Sequence, residues 1–247
     1  MSARSPLSSE DLDRIRALDT CTASNAIERL NVRLRNEGFI AGRIRCRFPS
    51  LPPMVGYAAT ARIRTAMPPM VENCCCYYDR IDWWKYVASM PEPRVMVFED
   101  MDHQPGIGAL IDEIHAAIGM ALKCVGCVTN GAVRDLTKVK SLGFQMFSGN
   151  VAVSHSYAHV IDFGEPVEIG GLKIKPGDLL HGDLHGVHSI PVSVAREIPG
   201  EAAKVVTMER ELVGFCSSAE FSVEALAERL EAASRVCLSR TSRPGTS

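Results

Sequence analysis

Arg134 and Asp135 stand side by side at the end of the run Val128-Thr-Asn-Gly-Ala-Val-Arg-Asp135. An apolar stretch, a glycine turn and then an adjacent cation and carboxylate put both charges between a strand and a helix. Loops at the carboxyl ends of strands are where α/β sheets usually bind ligands. Arg134 offers a planar fork that can grip a carboxylate through two hydrogen bonds. Asp135 offers a hard oxygen of the kind that suits Mg²⁺ or Mn²⁺. Together they could hold a 2-oxo acid through its carboxylate and keto oxygens. The competing expectation is structural: Asp135 caps a helix and Arg134 pairs with a surface acid.

A second segment, Gly106-Ile-Gly-Ala-Leu-Ile-Asp-Glu113, has glycines just ahead of an expected helix. Free backbone N–H groups at a helix mouth make an anion site. The alternative is an ordinary glycine-containing helix start. Asp112, Glu113 and the acids of the 99–102 loop are candidates for acid–base work. His181, His185 and His188 have spacings that would suggest zinc on a helix. Gly182 and Gly186 place them on strand and turn instead, and Asp183 is expected to hold that turn. His155 and His159 are expected as structural or rim residues. Cys124 and Cys127 form a CxxC inside an apolar run, which reads as buried strand cysteines rather than a redox or zinc pair.

The elements that must position these groups follow from periodicity. Helices are expected over residues 8–18, from about 22–25 through Leu30, and over 79–89. Another is expected with Leu110, Ile114, Ile118 and Ala121 as its buried stripe. Strands are expected at 56–65, 94–98, 126–128 and 144–147, with Asn130-Gly131 breaking the third and a short helix over 135–142. This alternation argues for an α/β core. Beyond Gly149 alternating segments (151–157, 166–169, 172–175 and 179–191) add antiparallel β structure. Gly170-Gly171 signals a tight hairpin between two of them. A last helix is expected over about 222–236, inside a helical C-terminal extension of about 205–238. The tail from about 240 reads as disordered. One domain over residues 1–247 is the expectation.

Composition narrows the function classes. The 247 residues carry a net charge of −2 and no basic block, so nothing favours nucleic acid. No apolar run approaches the roughly 20 residues needed to span a bilayer. The polar N-terminus lacks a signal-peptide core, so a cytoplasmic location is expected. Nine cysteines, three of them adjacent at Cys74, Cys75 and Cys76, suit a reducing compartment better than a disulfide framework.

Gly108-Ala-Leu-Ile with Glu113, followed by Gly126 through Asn130-Gly-Ala-Val-Arg-Asp135, resembles the family of 4-hydroxy-4-methyl-2-oxoglutarate aldolases, which also contains the regulator of ribonuclease activity A. The resemblance extends to Leu142-Gly-Phe, Val167–Leu172, Pro176-Gly-Asp-Leu-Leu-His-Gly-Asp183 and Leu18–Ala26, and covers about residues 10–195. It implies a layered α/β sandwich and a homotrimer or dimer of trimers with sites between subunits. It also implies metal-dependent aldol cleavage of a small 2-oxo acid to pyruvate, with oxaloacetate decarboxylation as a second activity. By the same resemblance Asp135 would ligate the metal and Arg134 would bind the substrate carboxylate. Gly108, Ala109, Leu110 and Ile111 would line the pyruvate pocket, and Glu113 is counted with Arg134 and Asp135 among the catalytic candidates. A C-terminal acid of a neighbouring subunit, for which Glu209 and Glu211 are candidates, could reach the metal shell. Three departures bear on substrate identity: a longer segment between Glu113 and Gly126, Asn25 where many members carry Asp, and the histidine-rich stretch 181–188. Two rival readings remain, another lyase or hydratase of a 2-oxo acid on the same scaffold, and a non-catalytic protein that inhibits a ribonuclease by contact.

Overall fold

A computed structural model describes residues 5–69 and 80–238. In chain order the helices are α1 (Ser9–Arg16), α2 (Thr20–Leu30), α3 (Ile81–Ser89), α4 (Glu113–Ala121), α5 (Leu136–Leu142), α6 (Ile198–Cys216) and α7 (Val223–Leu238). The strands are β1 (Arg45–Cys46), β2 (Met54–Arg64), β3 (Arg94–Asp100), β4 (Ala109–Ile111), β5 (Cys124–Val133), β6 (Gln145–Val151), β7 (His159–Phe163), β8 (Val167–Ile169), β9 (Leu172–Ile174), β10 (Leu179–Asp183) and β11 (Gly186–Ile190). The triplet Cys74–Cys76 and the tail from 240 lie outside the described residues.

Strands β2, β3, β5 and β6 run parallel in the spatial order β6-β5-β3-β2, with α3, α4 and α5 among the crossovers. Because side chains alternate across a strand, each face of these strands has its own partner. Ala59, Ala61 and Ile63 of β2, with Met96 and Phe98 of β3, pack under Trp83, Ala116 and Val139 of the three helices. Ala58, Val95, Val97 and Val128 face the other way, onto Val167, Ile169, Leu172 and Ile174 of the β8–β9 hairpin. Burial on both faces explains why these strands read as near-continuous apolar runs.

Antiparallel strands extend the same sheet. β10 pairs with the first half of β2, β11 with β10, and β7 with the far end of β2. The sheet curls until it nearly closes: a Cβ built on Gly182 of β10 would lie 2.8 Å from the Phe147 ring of β6. Helices α1, α2 and α6 cover Val55, Tyr57, Leu179 and Ile190 on the outside of this antiparallel part. Ser8 and Asp11 form a reciprocal capping box on α1. The Gly170-Gly171 turn adopts φ +53° and +81°, as a tight hairpin requires.

Five local expectations are corrected. The segment after Gly108 is the short strand β4, and the helix begins only at Glu113 behind its cap Asp112. Its buried face is His115, Ala116 and Gly119, while Ile114 is 49% exposed. Small residues turn inward because the sheet is close: a Cβ on Gly119 would stand 3.0 Å from the Met96 side chain. Strand β5 continues through Asn130-Gly131, with a register shift against β6 between Thr129 and Ala132. The alternating stretch 152–157 is not a strand, and Val153 is 95% exposed. The C-terminal extension is two helices, the first starting at Ile198. Among the described residues no helix is long and apolar enough to cross a membrane.

Candidate functional site

The carboxyl ends of β2, β3 and β5 meet in one polar network that sets the backbone around Arg134. Asn130 clasps the end of β3: its side-chain amide donates to the Asp100 carbonyl (3.0 Å) and its side-chain oxygen accepts from the Asp100 N–H (2.7 Å). Asp100 is buried and accepts from the N–H groups of Asp102 and Gly106. Burial pushes its pKa up against those donors, and the neighbouring Asp102 charge adds to the rise. Burial presses the same way on Asp102. There the N–H groups of Thr65 and Ala66, both at 2.7 Å, and the Thr65 hydroxyl outweigh it, so its pKa falls below the usual range. These acids therefore spend their oxygens on the loops at 65–66 and 102–106. Gly131 packs closely here: a Cβ would stand 3.1 Å from the Asp100 carboxylate, which would have to give by a few tenths of an ångström.

The wall Gly108–Ile111 lies directly beside the Arg134 strand. Ala109 is in register with Ala132 and Ile111 with Val133, and the Arg134 N–H donates to the Ile111 carbonyl at 3.0 Å. The two segments singled out by sequence are thus neighbours, joined by parallel pairing rather than as two helix mouths. The N–H groups of Gly106 and Gly108 are already bonded, to Asp100 and to the Thr65 hydroxyl (3.2 Å). The expected helix-mouth anion site at these glycines is therefore replaced by a strand edge.

Asp135 occupies the N-cap position of α5 but does not act as a cap. Its side chain makes no cap hydrogen bond, and its backbone is left-handed at φ 54°, ψ 36°. A non-glycine residue held there stores strain of the kind that clusters at functional sites. Its carboxylate lies 3.6 Å from Arg134 Nε, and both side chains are about a quarter exposed, 28% for Arg134 and 26% for Asp135. Arg134 Nε is buried yet has no hydrogen-bond partner among the described residues. A buried charged donor left unmatched is costly unless something else completes it. Glu113 sits at the start of α4 and pairs with Lys138 of α5 at 2.9 Å. That exposed pair bridges the two helix starts and contributes little energy.

The histidine-rich hairpin is elsewhere. Gly182 pairs with Met54 at the opposite end of β2 from Thr65. His181 and His188 face each other across β10 and β11 at 3.0 Å, and His185 pairs with Asp183. Asp183 accepts from the N–H and hydroxyl of Thr20 (2.9 and 2.7 Å), so it anchors the start of α2 besides holding its own turn. Asn25 of α2 donates to Glu209 of α6 at 3.2 Å. Cys124 and Cys127 are buried, and burial pushes the Cys124 thiol up to about 12 and that of Cys127 higher, as inert core cysteines require. Among the described residues no group of three or more His, Cys, Asp or Glu side chains could hold a metal ion.

Sequence reasoning missed two residues that build this site, Thr65 and Asn150, and placed a third, His155, only as a structural or rim residue. Asn150 donates to the Gly106 carbonyl (3.3 Å), and His155 Nδ1 lies 2.6 Å from the Ala109 carbonyl. No local pattern marks them, because each acts on a loop more than 40 residues away.

Comparison with known proteins agrees with this architecture. A protein from Halalkalibacterium halodurans named "Putative 4-hydroxy-4-methyl-2-oxoglutarate aldolase" is 36% identical over 90 residues, 35% of this chain and 43% of that protein. Protein DlpA of Legionella pneumophila is 30% identical over 129 residues, 51% of this chain and 20% of DlpA. The chain thus matches less than half the length of these curated relatives. The crystal structure of an uncharacterized Pseudomonas syringae pv. tomato protein superposes with a TM-score of 0.67 at 23% identity, covering 94% of this chain and 98% of that one. Streptomyces coelicolor RraAS2, described as an unusual member of the RNase ES inhibitor RraA family, gives 0.64 at 20% identity, with 85% and 98% covered. At such identities the likeness establishes the fold, a mixed α/β arrangement around a nearly closed sheet. The model of the RraA-like family, described as Aldolase/RraA, matches residues 20–188, and the chain belongs to that family.

Proposed function

We propose that the chain is a lyase that cleaves or decarboxylates a small 2-oxo acid to pyruvate with the help of a divalent metal. The observation that carries this reading is the buried, unmatched Arg134 Nε beside a strained, uncapped Asp135. A 2-oxo acid carboxylate is the anion that the guanidinium fork fits. The donor set suits Mg²⁺ or Mn²⁺, which accept a single protein carboxylate and fill the remaining positions with water and substrate oxygens. Asp135 would hold the ion. When bound, the ion supplies Lewis-acid stabilisation of negative charge on the keto and carboxylate oxygens.

The chain's own groups do the remaining work. Arg134 binds and orients the carboxylate, and its position is fixed by the N–H bond to Ile111. Gly108, Ala109, Leu110 and Ile111 form the wall beside it. The side chains of Leu110 and Ile111 are buried in the hydrophobic core and anchor the wall from behind. Asp100 and Asp102 shape the loops rather than exchange protons, since their oxygens are taken by backbone N–H groups. A trimer or dimer of trimers, with the site completed across subunits, belongs to the same proposal.

A coupled pyruvate assay over 4-hydroxy-2-oxo acids and oxaloacetate, run with Mg²⁺ and again with EDTA, tests it. We expect metal-dependent release that Arg134→Ala and Asp135→Ala each reduce on the order of 10²-fold or more. Near wild-type release in either variant, or release unaffected by EDTA, overturns the assignment. Absence of release from every substrate leaves the contact-inhibitor reading, which rests on fold likeness alone.

A further inference from the structure

The wall beside Arg134 is short. β4 has only three residues, and its pairing with β5 shifts register between Ala109 and Ile111. Such a strand needs help to keep its backbone in place, and the help comes from Ser154–Ser156. The Ala109 N–H donates to the Ser154 carbonyl at 3.0 Å. His155 Nδ1 lies 2.6 Å from the Ala109 carbonyl oxygen. A carbonyl can only accept, so Nδ1 carries the proton. Both polar groups of Ala109 are therefore held by one loop. Gly108 adds a steric lock: a Cβ there would come within 2.3 Å of the His155 carbonyl oxygen, so only glycine allows the two backbones to touch.

His155 is itself oriented. Its Nε2 lies 3.5 Å from Asp112 Oδ2, a contact that attracts when Nε2 also carries a proton, that is, in the imidazolium. The other oxygen of Asp112 accepts from the N–H and Nδ1 of His115, each at 2.9 Å, while capping α4. Asp112 and His115 are buried. The imidazole of His155 thus joins the cap of α4 to the carbonyl of the wall.

We propose that His155, aligned by Asp112, is a positioning residue that fixes the Gly108–Ile111 wall against the substrate. The proposal rests on the function assigned above. It gives His155 no contact with substrate; the residue acts through the Ala109 carbonyl. Misplacing a binding group by about 1 Å can cost on the order of 10²-fold in rate, so a loosened wall is felt in kcat/KM.

The test compares three substitutions. His155→Asn keeps an amide donor where Nδ1 stands, whereas His155→Gln moves it to the Nε2 position and His155→Ala removes it. His155→Ala and His155→Gln are expected to lose roughly 10-fold or more in kcat/KM, mainly through KM, and to weaken pyruvate binding in parallel. His155→Asn is expected to stay within about threefold of wild type. Hydrogen exchange at the amides of residues 108–111 should speed up in the Ala and Gln variants and not in Asn. Wild-type KM and exchange in His155→Ala overturn the proposal, and so does a His155→Asn variant as impaired as His155→Ala. If His155→Ala does not fold, the contrast between Asn and Gln decides the same point. If wild type releases no pyruvate, the functional reading falls, and the exchange contrast still tests the positioning role.

Discussion

Replacing Asp135 with glycine separates a strained ligand from a helix cap. Holding a residue with a Cβ at φ 54°, ψ 36° costs about 1 kcal/mol. Glycine removes that cost but returns about 0.5–1 kcal/mol of chain freedom to the unfolded state. Loss of the 3.6 Å contact to Arg134 takes away a few tenths more, since the pair is partly exposed. No cap hydrogen bond is lost, because none exists. The net change is within a few tenths of a kcal/mol of zero, a Tm shift of no more than about 1 °C in either direction for a domain of this size. Activity should meanwhile fall on the order of 10²-fold or more. Thermal melts with and without Mg²⁺, beside the pyruvate assay, read both quantities. Mg²⁺ should raise the Tm of wild type and leave Asp135→Gly unmoved, because only a group that binds the ion gains from it. A Tm drop of more than about 3 °C, near 1 kcal/mol, or retained pyruvate release, would show that Asp135 is an ordinary structural residue.

Other consequences follow from buried charges away from the site. Burial pushes His181 down to about 4, and His188 down to about 3 with the His181 charge adding to the effect, so both stay neutral in the folded chain. The unfolded chain takes up protons below about 6.5. Stability is therefore full above that pH and is lost as pH falls from about 6.5 towards 4 and 3. His181 alone accounts for roughly 3 kcal/mol by pH 4. Urea titrations at pH 7, 5.5 and 4.5 should show a falling midpoint, and a flat profile would contradict the neutral pair. Arg94 is buried and donates to the carbonyls of Ala88 (2.8 Å), Met90 (2.9 Å) and Leu122, tying the C-terminal ends of α3 and α4 to β3. Arg94→Met leaves those carbonyls unmatched and should cost about 3 kcal/mol in chemical denaturation. Arg94→Lys should recover only part, since a point cation cannot serve three carbonyls in the planar arrangement of the guanidinium.

The sequence made the parallel strands legible because burial on both faces leaves an apolar run with few polar interruptions, as in Arg94–Phe98. It also made the hairpin at Gly170-Gly171 legible, since those glycines carry their own conformational preference. It misplaced β4. Ala109-Leu-Ile fits one turn of an apolar helix face as well as three strand residues, and only pairing with β5 decides between them. The stripe Leu110–Ile114–Ile118 misled for the same reason. α4 lies so close to the sheet that alanine and glycine fill the gap, and Ile114 is left outside.

The candidate site divides along a similar line. Arg134 and Asp135 stand out from their local string, because residue type and position at a strand end already limit what they can do. The left-handed backbone of Asp135 has no such signal, and it is what sets this residue apart from an ordinary helix cap. His155 is less legible still. Its alternating neighbourhood suggested a strand, whereas the chain there forms an irregular loop whose carbonyl and imidazole reach back to Gly108 and Ala109. Charged side chains at a strand end can be found from local chemistry. The side chains that hold the backbone around them are set by contacts across more than 40 residues, and only the folded sheet brings them together.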